Sequence, residues 1–147
     1  MSGLRGALLD LAAWPWATLS ALRAWAYANK WAQAERLQGP VVSIGNLALG
    51  GRGKTPVVVR VCQILAEEGV ATAILSRGYM GTYRQTAVLA SDGRGSVRPA
   101  RDVGDEPAML AHHLPTVPVA VAARRADAGR LIEAHWGPRV HVLDDGF

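Results

Sequence analysis

Six consecutive residues, Gly50-Gly51-Arg52-Gly53-Lys54-Thr55, carry the chemistry most readily named in this chain. Glycines let backbone N–H groups approach phosphate oxygens with no Cβ in the way. A helix beginning directly behind them points its free N–H groups and positive dipole end at the same anion. In that setting Lys54 reaches the β- and γ-phosphates and the Thr55 hydroxyl holds Mg²⁺. The usual pattern is G-x-x-x-x-G-K-[ST], and its first position is Ala48 in this chain. Gly50 and Gly51 together supply the tight turn. The plain alternative is a glycine-rich turn with a chance Lys-Thr.

Two acidic pairs could serve the same site. Asp144-Asp145 follows the apolar run Val140-His141-Val142-Leu143. An acid at the end of a buried strand holds Mg²⁺ directly or through water, and Mg²⁺ takes one or two carboxylates beside phosphate oxygens. Apolar-Asp-Asp-Gly also describes an ordinary turn; a glycine loop about 90 residues upstream favours the metal reading. Asp105-Glu106 follows Gly104. A phosphotransferase needs a carboxylate near the acceptor hydroxyl to take or orient its proton. Asp105 equally suits the N-cap of the helix behind it, and spacing leaves both roles open. Arg77 and Arg124-Arg125 each follow a strand-like run, so each is either a phosphate contact or a surface arginine. The four histidines lack the i, i+4 helical spacing of zinc ligands, and there is no cysteine cluster or Gly-x-Ser-x-Gly elbow.

The elements that would position these groups alternate. Val41–Ile44 reads as a strand, 57–68 as a helix with Gly69 at its C′ position, and 71–75 as a strand. A short strand is expected at 86–90, a helix at 106–113, a strand at 117–122, a helix at 124–135 and a strand at 140–143. Pro56 falls in the first helical turn, where a missing N–H costs little. Strands alternating with helices imply an α/β fold with a parallel, doubly wound sheet. In such sheets ligands bind beyond the carboxyl ends of the strands, where the glycine loop and Asp144-Asp145 both fall.

The chain has 147 residues, enough for one core, and half of them are hydrophobic. Its net charge is +4, and Lys30 and Lys54 are the only lysines. The basic residues are dispersed, with no basic strand interleaved with aromatics, which speaks against nucleic acid as a partner. Cys62 is the single cysteine and suits a buried helical position in a reducing compartment. Residues 1–38 form a separate N-terminal segment rich in Ala, Leu and Trp. On a helical wheel Leu4, Leu8, Leu11, Trp14, Leu22 and Trp25 share one face, and Arg5, Arg23 and Lys30 another. Asp10, Pro15 and Arg23 interrupt the roughly 20 apolar residues a membrane span needs. A helix lying in the membrane interface fits the face separation and the tryptophans better than a span, a signal peptide or a core helix. Residues 39–147 then form the P-loop domain.

Taken in order, Val-Ser-Ile-Gly-Asn (42–46), Gly-Gly-Arg-Gly-Lys-Thr-Pro (50–56), Ser-Arg-Gly-Tyr (76–79), Gly-Asp-Glu-Pro (104–107), Pro-Val-Ala-Val (118–121) with Arg125, and Asp-Asp-Gly-Phe (144–147) resemble the tetraacyldisaccharide 4′-kinase family of lipid A biosynthesis. The resemblance implies a P-loop NTPase-like fold and transfer of phosphate from ATP, with Mg²⁺, to the 4′-hydroxyl of a tetraacyldisaccharide 1-phosphate. It implies a place at the cytoplasmic face of the bacterial inner membrane. Carried over to this chain, Gly50, Gly51, Arg52, Gly53, Lys54 and Thr55 would bind the nucleotide. Asp105 would activate the acceptor hydroxyl, and Arg125 would stabilise phosphate or transition-state charge. Thr55, Glu106, Asp144 and Asp145 would hold the metal. The family's sequences continue past Asp-Asp-Gly-Phe, so the resemblance also implies an N-terminal portion of a longer enzyme, with weak or no turnover by these residues alone. Two other classes share the loop: a nucleotide-binding, membrane-docking module without turnover, and a P-loop GTPase or metallochaperone.

Overall fold

The computed structural model describes residues 35–45 and 53–144, together with Thr18, Ala21, Leu22, Trp25, Asn29 and Trp31. Two units are present, residues 1–35 and 36–147. In the first, Thr18, Ala21, Leu22 and Trp25 are helical. Leu22, Trp25 and Trp31 are 61%, 51% and 79% exposed. The Trp25 and Trp31 rings lie 5.4 Å apart. Among the described residues no helix is long and apolar enough to cross a membrane.

The second unit runs β1 (Val41–Ile44), α1 (Lys54–Glu67), β2 (Thr72–Ser76), β3 (Ala87–Ser91), α2 (Ala100–Val103), α3 (Asp105–His113), β4 (Val119–Ala122), α4 (Arg125–Trp136) and β5 (Val140–Asp144). The strands form one sheet in the order β1-β5-β2-β4-β3. β1, β5, β2 and β4 are parallel. Every residue of β2 and β4 is buried, as expected for central parallel strands covered on both faces.

The parallel α/β sheet expected from the sequence is present in four strands, and the fifth makes the sheet mixed. β3 pairs antiparallel with β4, Ala87 opposite Ala122, with an irregularity between Leu89 and Ser91. The reason lies in the connection: residues 77–86 contain no helix. A parallel return needs a crossover of a dozen or more residues, usually helical. The chain instead comes straight back along the sheet edge, and α2 and α3 fill the route from β3 to β4.

Handedness places the other helices. The step from β1 to β2 crosses the sheet in one direction, and the step from β4 to β5 in the other. Right-handed crossovers in opposite directions put their helices on opposite faces. Accordingly, α1 and α3 cover the face carrying Ile74, Val119, Val121 and Val142. α4 covers the face of Ala73, Leu75, Ala120 and Ala122, burying Ala128 and Ile132 there. Val57, Val58 and Val59 are poor helix formers. α1 forms because Val58, Val61, Cys62 and Leu65 recur at i, i+3, i+4 and i+7 and pack on the sheet. Its end is a Schellman motif: the Gly69 N–H bonds the Ala66 carbonyl at 3.0 Å and the Val70 N–H bonds that of Leu65 at 2.8 Å. Burial pushes the Cys62 thiol up to about 11.

Candidate active site at the carboxyl edge of the sheet

β1 ends at Ile44, and the chain re-enters the described region at Gly53, where α1 begins. Gly53 has φ 93° and serves as N-cap with no side-chain cap bond. That left-handed conformation is open to glycine and strained for any residue with a Cβ. Lys54 and Thr55 are the first two residues of α1, both half-buried. They stand where the helix N–H groups are unsatisfied and the dipole favours an anion. Gly50, Gly51 and Arg52 lie outside the described residues.

α3 runs back along β4, so it too starts at the carboxyl edge. Gly104 is its N-cap, with φ 98°. A Cβ on Gly104 would stand 2.7 Å from the Tyr79 carbonyl oxygen, so both backbone angle and space require glycine. Asp105 is therefore the first residue inside the helix and not its cap, and it is exposed. Its capping role, left open by the sequence, falls to Gly104. Glu106 comes next, half-buried, and the Thr55 hydroxyl donates to its Oε1 at 3.3 Å. That bond joins the starts of α1 and α3, residues 51 apart in sequence.

Asp144 closes β5, 1% exposed, directly beside Ile44 of β1 in the sheet register. Arg125 opens α4, half-buried, just past β4. Arg77 is exposed past the end of β2, and its carbonyl accepts the Tyr83 hydroxyl at 3.0 Å. Asp145 lies outside the described residues. The starts of α1, α3 and α4 and the end of β5 thus share one edge of the sheet. Among the described residues no three His, Cys, Asp or Glu side chains cluster as metal ligands. A groove of about 500 Å³ opens beside Thr55 between α1 and α3, walled by Pro56, Val59, Met109 and His113.

One buried polar cluster was not foreseen. At the opposite end of β1 and β5, Glu133 Oε1 accepts the Gly39 N–H at 2.9 Å and bonds His141 Nε2 at 3.0 Å. The His141 side chain is fully buried and that of Glu133 is 6% exposed. Burial alone would raise the Glu133 carboxyl. Hydrogen bonds from the Gly39 N–H, His141 and the Gln38 backbone outweigh it and hold the group below the usual carboxylate range. His141 Nδ1 is buried without a hydrogen-bond partner, which favours the tautomer carrying its proton on Nε2. The available sequence signal was a lone histidine inside an apolar strand, and it gave no hint of its partner on α4.

A mostly parallel α/β sheet with Lys-Thr opening the helix after the first strand, and an acid ending the neighbouring strand, defines a P-loop NTPase-like domain. Comparison with known proteins narrows this. The chain belongs to the tetraacyldisaccharide-1-P 4′-kinase (LpxK) family, whose model matches residues 5–147. A tetraacyldisaccharide 4′-kinase of Anaeromyxobacter dehalogenans (strain 2CP-C) is 48% identical over 147 residues, all of this chain and 39% of that protein. One from Geobacter metallireducens is 39% identical over 141 residues, 96% of this chain and 42% of that protein. Among solved structures, the "apo" form of LpxK from Aquifex aeolicus in complex with ATP matches with a TM-score of 0.83 and 32% identity, over 97% of this chain and 44% of that one. The chain thus spans about two fifths of the length of the curated relatives it matches.

Proposed function

We propose that the protein transfers phosphate from ATP to the 4′-hydroxyl of a tetraacyldisaccharide 1-phosphate. The observation that carries this reading is the Thr55–Glu106 bond. It brings the nucleotide-binding start of α1 against the Asp105-Glu106 start of α3, with Asp144 ending the strand beside β1. In this reading the backbone of Gly50, Gly51, Arg52 and Gly53 cradles the phosphates, and Lys54 neutralises the charge on the β- and γ-oxygens. Asp105, exposed and one residue from the contact, takes the proton of the acceptor hydroxyl. Arg125, at the start of α4, stabilises charge on the transferring group.

The donor set suits a hard cation. The Thr55 hydroxyl and the Glu106 carboxylate are oxygen ligands already in contact, and Asp144 adds another carboxylate at the same edge. These groups, with Asp145, would hold Mg²⁺, which when bound neutralises charge on the nucleotide's phosphates. Residues 1–38 form the membrane-docking segment. The exposure of Leu22, Trp25 and Trp31 supports an interfacial helix at the cytoplasmic face of the inner membrane.

The test is Lys54→Ala in the full-length protein, assayed for ATP-dependent phosphorylation of the tetraacyldisaccharide 1-phosphate. Activity is expected to disappear while the fold persists. Undiminished turnover refutes the proposal.

A further inference from the structure

Asp105 stands just beyond a joint that local structure cannot hold by itself. α2, the element before it, is four residues long, a single turn that its own hydrogen bonds do not sustain. Only Gly104 separates α2 from α3. The loop that leaves β2, residues 77–83, supplies the support. The last carbonyls of a helix lack intrahelical partners. Here the Thr82 N–H bonds the Arg101 carbonyl at 3.1 Å, and the Tyr83 N–H bonds that of Asp102 at 3.0 Å. The Thr82 hydroxyl also donates to the Arg101 carbonyl, at 3.0 Å.

Glycines permit the fit. A Cβ on Gly78 would stand 2.7 Å from the Val103 carbonyl oxygen, and one on Gly81 would stand 2.8 Å from that of Asp102 and 3.1 Å from the Gly104 nitrogen. The approach of Gly104 to the Tyr79 carbonyl is the same seam met from the other side. Backbone lies on backbone along 78–81 and 102–104, with no room for a side chain between. The loop is itself closed. The Gly81 N–H bonds the Gly78 carbonyl at 3.0 Å, and the Tyr83 hydroxyl reaches back to the Arg77 carbonyl. Met80, at the tip, holds φ 65°, a left-handed angle that a residue with a Cβ keeps only where its surroundings fix it. We propose that this loop sets the position of Asp105, with Gly81 and Tyr83 as positioning residues for the reaction. The inference rests on the proposed function, in which Asp105 takes the proton of the acceptor hydroxyl, and extends it to residues outside any motif. A general base works only within hydrogen-bond reach of the proton it takes, and a misplacement of about 1 Å can cost about 10²-fold in rate.

The experiment is Gly81→Ala in the full-length protein, with and without Asp105→Asn. Gly81 does not have a positive φ, so alanine adds no backbone strain there, only a methyl pressed on the joint before Asp105. kcat should fall about tenfold or more, with KM for ATP unmoved. In the Asp105→Asn background the same substitution should cost little further, because the loop acts through Asp105. An unchanged kcat, or an equal loss in both backgrounds, overturns the proposal. Gly95→Ala controls for lost stability: its φ of 98° opposes a Cβ that has no described atom within 4 Å, so Tm should drop with kcat retained. An equal fall in kcat there would make the Gly81→Ala effect one of stability and overturn the proposal. A second measurement needs no turnover: amide hydrogen exchange in Tyr83→Phe, which removes the bond to the Arg77 carbonyl. The Gly104 and Tyr83 N–H groups should exchange about threefold to tenfold faster, the scale of one hydrogen bond, with the β4 amides unchanged. Unaltered exchange at Gly104 overturns the loop's hold on the joint. Faster exchange there, beside undiminished turnover by Asp105→Asn, would retain that hold and discard Asp105 as the base.

Discussion

Replacing Glu133 with alanine should destabilise the P-loop domain by about 3 kcal/mol. The carboxylate accepts the Gly39 N–H at 2.9 Å and bonds His141 Nε2 at 3.0 Å, all three in the interior. A bond to a charged group contributes about 1.5–3 kcal/mol, so two give about 3–6 kcal/mol as an upper range. Because the bonds share one oxygen and water can enter the vacated space, the low end is the expected value. For a domain of about 110 residues that corresponds to a fall in Tm of about 13 °C. Glu133→Gln keeps an acceptor for the Gly39 N–H and loses the charge, so about half the effect should remain.

The pH dependence carries a separate signature. The Glu133 carboxyl is held below its usual value in the folded state. Its stabilisation is therefore fully present above the unfolded value of about 4.3 and is lost as pH falls through the lower folded value. Urea denaturation between pH 7 and pH 3 should show wild type losing part of its advantage over Glu133→Ala across that window. A destabilisation under about 1 kcal/mol at pH 7, or two acid limbs that run in parallel, refutes the reasoning.

Asp105→Asn should cost about 0.3–1 kcal/mol of stability, the helix-dipole contribution alone, because Gly104 and not Asp105 occupies the cap. Turnover by the full-length protein should nevertheless fall about 10²–10⁴-fold; a large Tm loss with modest kinetic change would make the residue structural. Gly104→Ala should cost about 2 kcal/mol or more, since φ 98° and a carbonyl oxygen 2.7 Å from the new Cβ both oppose it, and a differential scanning trace matching wild type would contradict that. Cys62, with its thiol pushed up to about 11 by burial, should resist iodoacetamide at pH 8 until denaturant is added; rapid labelling of the folded protein would show the helix face open.

What could be read from residues alone divides along physical lines. β1 appears with its sequence bounds, and α1, α3, α4, β2, β4 and β5 differ at their ends by up to three residues, because each is an apolar run with a clear stop. The strand β3 was legible and its antiparallel orientation was not. Local pattern reports that a segment is extended and is silent on direction, which depends on whether the preceding link can hold a crossover helix. α2 was missed for a related reason: four residues carry no period. Motif spacing singled out Thr55, Asp105, Glu106 and Asp144 as candidates, and the fold sets them at one edge of the sheet. The Thr55–Glu106 contact itself is a tertiary fact, since it depends on α1 and α3 lying on the same face of the sheet. Glu133 and His141 were illegible because their pairing joins α4 to β5 across the interior, and neither residue sits in a motif.

The two polar groupings on β1 and β5 are connected by strand register. Val41 pairs with His141 at one end of these neighbouring strands, and Ile44 pairs with Asp144 at the other. A one-residue slip would turn every side chain of the slipped strand to the opposite face. A slip of β1 would carry the Gly39 N–H away from Glu133 and the start of α1 away from Asp144 together. β1 is an edge strand among the described residues, with Val41 and Val42 exposed. Burial therefore fixes its register less firmly than that of β2 or β4. The Gly39 N–H to Glu133 bond supplies some of what burial does not, by anchoring the entry to β1 on a helix of the opposite layer. Under the proposed function, Glu133 would position, through β1, the site at the other end of the sheet. Its loss should be felt by bound nucleotide as well as by stability, with ATP affinity falling in Glu133→Ala under conditions where the variant is fully folded. Unchanged affinity there would confine the cluster to stability alone.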